Sequence, residues 1–267
     1  ATTEIYTLSL HAALPIFPRF REAVFTGTYP IASLRLQDPK LPVTVSIEAF
    51  NPMIPLDTAE SSLPVAVFHY RFTSRAKAPI HLDLAFSLMN PIGFDGVGKL
   101  HHRRASFFGR NQNTFRQQGP LAGLVYTSNK YPQEAARHGS LALLTTGTDI
   151  SYRAAWEHGG WWDDFQKWWD EFQSTGRFSS QPAPESADGQ TEYSTLANHL
   201  TLAPPRPIPL SSPNTRPSGP QVIPLAFSSS NPSPTPIKPP KTSPDLHPSP
   251  LQSLLQPTPQ HHYSSSQ

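Results

Sequence analysis

The stretch Leu41–Asn90, LPVTVSIEAFNPMIPLDTAESSLPVAVFHYRFTSRAKAPIHLDLAFSLMN, decides the fold. Three of its segments alternate. Val43, Val45, Ile47 and Ala49 are separated by Thr44, Ser46 and Glu48. Ala66, Phe68, Tyr70 and Phe72 alternate with Val67, His69 and Arg71. Leu82, Leu84, Phe86 and Leu88 alternate with His81, Asp83, Ala85 and Ser87. Successive side chains of a strand point to opposite faces, so a period of two gathers each apolar set on one face. The pattern predicts antiparallel strands with one face packed and one wet. Ser74–Pro79 has the length of a hairpin connection.

The same reading extends outward. Ala32, Leu34 and Leu36 alternate with Ser33 and Arg35, and the strand runs into an Asp38-Pro39 turn. A carboxylate there is expected to accept from the local backbone. Leu121–Thr127 and Leu141–Thr146 are apolar runs that predict two neighbouring strands. Ile150, Tyr152 and Ala154 predict another. Trp161, Phe165, Trp168 and Phe172 are spaced four, three and four, one face of a short helix over 161–173. Acidic Asp163 and Asp164 suit its positive start.

The wording of the central stretch resembles glycoside hydrolase family 116, the group of non-lysosomal glucosylceramidases and bacterial β-glucosidases. Three segments carry the likeness: Phe50–Asp57 (FNPMIPLD), Ser61–Phe68 (SSLPVAVF) and Ala85–Asn90 (AFSLMN). Gly139–Gly147, Gly176-Arg177 and Ser194–Leu202 extend it, so that it spans residues 17–203. The resemblance implies an N-terminal, non-catalytic domain. The nucleophilic glutamate and the acid/base aspartate of such enzymes lie in a C-terminal (α/α)6 barrel, so no catalytic residue is assigned here. It also implies a partner, that catalytic domain. The intact enzyme is expected to act on a β-glucoside or glucosylceramide, to need no cofactor, and to be cytoplasmic or membrane-peripheral.

Composition divides the chain. Of 32 prolines, 18 fall in residues 204–267, and Asp245 is the only acidic residue there. The net charge of +2 averages two unlike pieces. No basic stripe with interleaved aromatics argues for nucleic acid, and no run of about 20 apolar residues argues for a transmembrane span. Cysteine is absent, which excludes disulfides and thiolate metal sites.

Residues 1–16, ATTEIYTLSLHAALPI, lack the basic start of a signal peptide. They resemble the translation of a sequencing adapter, with Ala12 where that translation has Asp, and are set aside from fold reasoning. Residues 204–267 are read as a disordered Pro/Ser-rich tail with no packed structure. A shift of reading frame just after Pro204 accounts for its abrupt onset. The alternative is a true extension, in which Pro204–Pro207 and Lys238–Lys241 serve as polyproline ligands.

The sequence therefore predicts an all-β, two-layer antiparallel β-sandwich over residues 17–203, with one short aromatic-rich helix and a disordered tail. Candidate chemistry is sparse. Asp57 and Glu60 share a loop, but a retaining pair needs carboxyls about 5 Å apart with one pKa raised. That loop is read as a solvated crossover, the alternative being a rim of the sugar site. The glycines of Asn90–Gly98 precede no helix pattern and make no phosphate cradle. His101-His102-Arg103-Arg104 lacks a third ligand at metal spacing. Phe107, Phe108 and Phe115 are expected to tuck the 90–98 connection against the sandwich. Trp161, Trp162, Trp168 and Trp169, with Trp156 beside them, are the candidate sugar-contacting residues. Packing of their helix on the sandwich or on the catalytic domain is the preferred account of them. Two other functions stay open, a free-standing carbohydrate-binding sandwich and an interaction protein acting through its tail.

Overall fold

The computed structural model describes residues 4–7, 19–94, 104–135, 137–158, 163–205 and 221–230. The strands are β1 (Glu4–Thr7), β2 (Glu22–Thr28), β3 (Ile31–Gln37), β4 (Val43–Phe50), β5 (Val65–Ser74), β6 (Ile80–Met89), β7 (Arg104–Gly109), β8 (Asn111–Gln118), β9 (Leu121–Ser128), β10 (Ser140–Thr145), β11 (Ile150–Arg153), β12 (Asp188–Gln190), β13 (Tyr193–Leu202) and β14 (Gln221–Ser230). A single helical turn, α1 (Thr58–Ser61), interrupts the crossover between β4 and β5. The one longer helix described is α2 (Asp163–Thr175).

Two sheets form the sandwich. The larger has the order β1-β2-β3-β4-β5-β14-β10-β9-β8, and the smaller is β11-β13-β6. A two-stranded pairing of β12 with β7 flanks them. All the paired strands run antiparallel. The apolar sets of the sequence are the faces that meet. Val43, Val45 and Ile47 of β4 and Phe72 of β5 pack on Leu82 of β6 and Leu202 of β13. Leu124, Tyr126 and Leu143 from β9 and β10 pack on Leu196 of β13, with Phe68, Leu84 and Phe86 against them. β9 and β10 bury their other face too, through Val125, Ala142 and Leu144. That is why both read as continuous apolar runs instead of alternating ones. Gly123 lets these strands approach, since a Cβ there would lie 2.0 Å from the Leu143 carbonyl oxygen.

The turn at Asp38 is built as expected: its Oδ1 accepts the Lys40 amide at 2.8 Å. Phe108 is fully buried and lies 5.4 Å from the Phe94 ring, and Phe115 stacks on Tyr152 at 4.5 Å. Phe108 thus meets the described start of the 90–98 connection, while Phe115 packs β8 against β11. Gly96, Gly98 and His101–Arg103 lie outside the described residues, as does the Phe107 side chain.

Two segments depart from the expectations. Residues 4–7, set aside above, pair as β1 with β2, Glu4 opposite Gly27 and Thr7 opposite Val24. In the tail, where no packed structure is expected, Gln221–Ser230 forms β14 and bridges β5 and β10. Its sequence, QVIPLAFSSS, holds a six-residue run with one polar-free core of Val, Ile, Leu, Ala and Phe. Pro224 interrupts it, and proline normally argues against an interior strand. The rest of the tail past residue 205 lies outside the described residues.

One buried amide joins the two sheets. Asn90, just past β6, is fully buried. Its Nδ2 donates to Asn113 Oδ1 at 2.8 Å and to the Thr127 carbonyl at 3.1 Å, and its Oδ1 accepts the Ile92 amide at 2.9 Å. Asn113 of β8 then donates to the Ala154 carbonyl beyond β11 at 2.7 Å. Its main chain is held as well. The Asn90 amide donates to the Glu192 carbonyl, and its carbonyl accepts the Thr191 hydroxyl at 2.6 Å. The Tyr126 hydroxyl lies 2.7 Å from Ser194 Oγ, another polar link between the sheets, and burial pushes its pKa upward.

Asn90→Ala leaves several of these buried groups unpaired and is expected to cost about 2–5 kcal/mol in urea unfolding. Tyr126 supplies a pH test. Its folded pKa lies above the value of about 10 for an unfolded tyrosine. Stability is then intact below pH 10 and falls as pH rises beyond it, by up to about 1.4 kcal/mol per pH unit for one group. Tyr126→Phe is expected to flatten that alkaline slope, as read from unfolding midpoints between pH 9 and 11.

Candidate functional site

The aromatic helix carries the residues singled out by sequence. Phe165, Trp168 and Phe172 recur along one side of α2 and face inward onto Trp156 and Phe178. Trp168 stacks on Trp156 (centroids 5.2 Å apart), Phe165 (5.4 Å), Phe172 (5.9 Å) and Phe178 (6.1 Å). Trp156 also meets Tyr193 at 5.3 Å. Both indole N–H groups converge on one oxygen: Trp156 Nε1 and Trp168 Nε1 donate to Thr195 Oγ1 at 2.9 and 2.8 Å. A hydroxyl has two lone pairs and one proton. With both lone pairs engaged, the Thr195 proton goes to Ser87 Oγ, 2.8 Å away on the neighbouring strand.

The helix ends on Gly176, which has φ +69° and donates its amide to the Phe172 carbonyl at 2.7 Å. This left-handed cap favours glycine. Here it is doubly required, because a Cβ would lie 2.1 Å from the Asp83 carboxylate. Arg153 of β11 pairs with Glu171, fixing the helix at a second point. These contacts make α2 a packed element of the sandwich. The faces of the half-buried Trp168 meet other rings. Trp169 is half-buried, 6.2 Å from Trp168. Trp161 and Trp162 lie outside the described residues.

Beneath the end of α2 runs a polar chain that sequence reasoning missed. Ser151 Oγ lies 2.9 Å from His199 Nε2, and His199 Nδ1 lies 2.7 Å from Asp83 Oδ1. His199 thus bridges Ser151 and Asp83 through its two ring nitrogens. The order is that of a hydrolytic triad. Its surroundings are not, because Ser151 is 4% exposed and its Oγ also accepts the Phe178 amide at 3.1 Å. The chain ties β11, β13 and β6 across the small sheet.

A cleft of about 410 Å³ opens beside Trp156, between residues 153–158 and the segment 179–192. Three carboxylates line it, each facing a cation or a histidine. Glu157 meets Lys167 Nζ at 2.8 Å and Arg153 at 3.2 Å. Glu185 meets Arg110 Nε at 2.7 Å. The buried Glu192 lies 2.5 Å from His158 Nε2. Lys167, followed by Arg153, holds Glu157 below the usual carboxylate range. Arg110, with Asn129 and Gln112, does the same for Glu185. Ionised, charge-matched carboxylates can anchor loops, but neither of these two is poised to donate a proton at neutral pH. Among the described residues no three His, Asp or Glu gather as a metal site.

The family description "beta-glucosidase 2, glycosyl-hydrolase family 116 N-term" matches residues 5–207. The chain belongs to glycoside hydrolase family 116. The match covers the sandwich from β1 to the end of β13 and stops short of β14. The family 116 segments recognised in sequence fall at structural joints. Asn90 is the inter-sheet amide, Gly176 is the helix cap, and Phe50–Asp57 leads from β4 to the α1 turn.

Thr195→Val removes the acceptor of two indole N–H groups while keeping the side chain's shape. It is expected to cost about 2–5 kcal/mol in urea unfolding, with loss of near-ultraviolet tryptophan dichroism. Thr195→Ser keeps the oxygen and is expected to cost less.

Proposed function

We propose that this chain is the non-catalytic N-terminal β-sandwich of a retaining β-glucosidase- or glucosylceramidase-like enzyme. In this reading it supports a catalytic (α/α)6 domain that its own residues do not supply. The partner is that domain, and the substrate of the intact enzyme is a β-glucoside or glucosylceramide.

The cleft carries the reading. Retaining hydrolysis needs one carboxyl held protonated to donate to the leaving group, with a second about 5 Å away as nucleophile. Glu157 and Glu185 are driven the other way by Lys167 and Arg110, and the third carboxylate, Glu192, lies against His158. The triad-like Ser151 is covered by the Phe178 amide. The packed Trp168 gives no support to a free-standing sugar platform, since its faces meet Trp156, Phe165 and Phe172.

The purified chain is expected to release no nitrophenol from 4-nitrophenyl β-glucoside above the buffer rate. Turnover that disappears when the chain is immunodepleted would overturn the proposal.

A further inference from the structure

The apolar side chains most exposed among the described residues gather on two adjoining loops. Tyr29 is 78% exposed and Leu56 fully so, with Ile31, Met53 and Ile54 about half exposed. The loops touch, the Tyr29 hydroxyl donating to the Met53 sulfur, and Ile31 pairs with Phe50 where β3 meets β4. A concavity of about 390 Å³ lies beside them, lined by Tyr29, Ile31, Ala49, Phe50 and Phe68 among others. Residues 26–34 and 49–56 contain no charged residue and no histidine.

Hydrogen bonds brace the outer loop around an unusual residue. Ile54-Pro55-Leu56-Asp57 forms a turn closed by the Asp57 amide on the Ile54 carbonyl at 3.0 Å. Ser61 Oγ accepts the Ile54 amide at 2.9 Å and donates to the Ile54 carbonyl at 3.0 Å. Leu56 has φ +70°. Proline at the second position and positive φ at the third define a type II turn, whose third position favours glycine. A leucine held in left-handed backbone and fully exposed is unfavourable twice over in the isolated domain. Backbone strain of this kind collects at binding and switch positions.

We infer that the Met53–Leu56 turn and the neighbouring Tyr29–Ile31 loop are the surface on which the sandwich docks the domain that follows it in intact family 116 enzymes. This rests on the reading under Proposed function. The matched family portion is by its own description N-terminal, so the intact enzymes carry further chain to cover such a face. Apart from Asp57 at the end of the turn, the patch is uncharged, which fits an apolar protein seat. It lacks the lysines and arginines that interfacial lipid-binding surfaces present. The turn is ordered before it binds, so little entropy is lost on docking. Leu56 is then an anchor that fills a pocket on the partner.

The test is surface plasmon resonance of the full chain over the helical half of a family 116 β-glucosidase, purified separately and checked for folding by circular dichroism. The wild-type chain is expected to bind, and Leu56→Asp to bind about tenfold more weakly or worse. Leu56→Gly separates docking from folding. Glycine relieves the positive φ, so its thermal midpoint is expected to rise while its binding weakens. Wild-type binding that both variants retain overturns this inference and leaves the domain reading standing. No binding by the wild type overturns both. Dimerisation in sedimentation, or binding to phosphatidylcholine vesicles, that Leu56→Asp abolishes reassigns the patch and overturns the inference as well.

Discussion

The sandwich depends on the burial of one carboxamide. Asn90 sits where β6 leaves the small sheet, and its side chain reaches β8 and β9 of the large one. A buried amide without partners would cost more than most apolar contacts return. Here both ends of the group are used, so it holds only in one relative placement of the sheets. Apolar packing between Leu124, Leu143 and Leu196 supplies the larger driving force but tolerates sliding. The amides specify what the aliphatic core merely favours. Asn113 passes the constraint on to Ala154, and so to the segment that leads into the aromatic helix.

From there a second polar joint takes over. Thr195 receives two indoles and gives its proton to Ser87, so one hydroxyl fixes the height of α2 above β13 and β6. The Ser151–His199–Asp83 chain does the same under the helix end. Each joint lies on the small sheet, whose three strands would otherwise be the weaker layer. The same groups, taken singly, look like catalytic equipment. Thr195, Ser151 and His199 are buried, and hydrogen bonds tie each of them to a neighbouring strand.

Much of this was legible in the sequence where the inward residues are apolar. The alternating sets of β3, β4, β5 and β6 and the spacing of Phe165, Trp168 and Phe172 place those elements correctly, because hydrophobic period maps onto face. β8 escaped for the converse reason. Its inward positions include Asn111 and Asn113, both buried, so its period of two is written in amides. β14 escaped because Pro224 breaks a short apolar run inside a proline-rich tail. The Ser151–His199–Asp83 chain joins residues from three strands far apart in sequence, and no spacing rule predicts such a meeting. Asn90 was noticed only through a family resemblance, which marks a position without giving its job.

The two ends of the β4–β5 connection show how stability and exposure are divided. β4 and β5 pair in unbroken register from Val43 with Ser74 to Phe50 with Val67. Core residues such as Val45 and Phe72 lie near one end of that ladder, and the Met53–Leu56 turn projects beyond the other. A domain that needed only to fold would place glycine or asparagine at position 56 and polar residues around it. This one holds leucine there, braced by Ser61 against relaxing. The local conflict is confined to a loop that the core does not use. It therefore weakens the isolated sandwich little while keeping an apolar knob in a fixed orientation, which is the arrangement expected of a surface built to be covered.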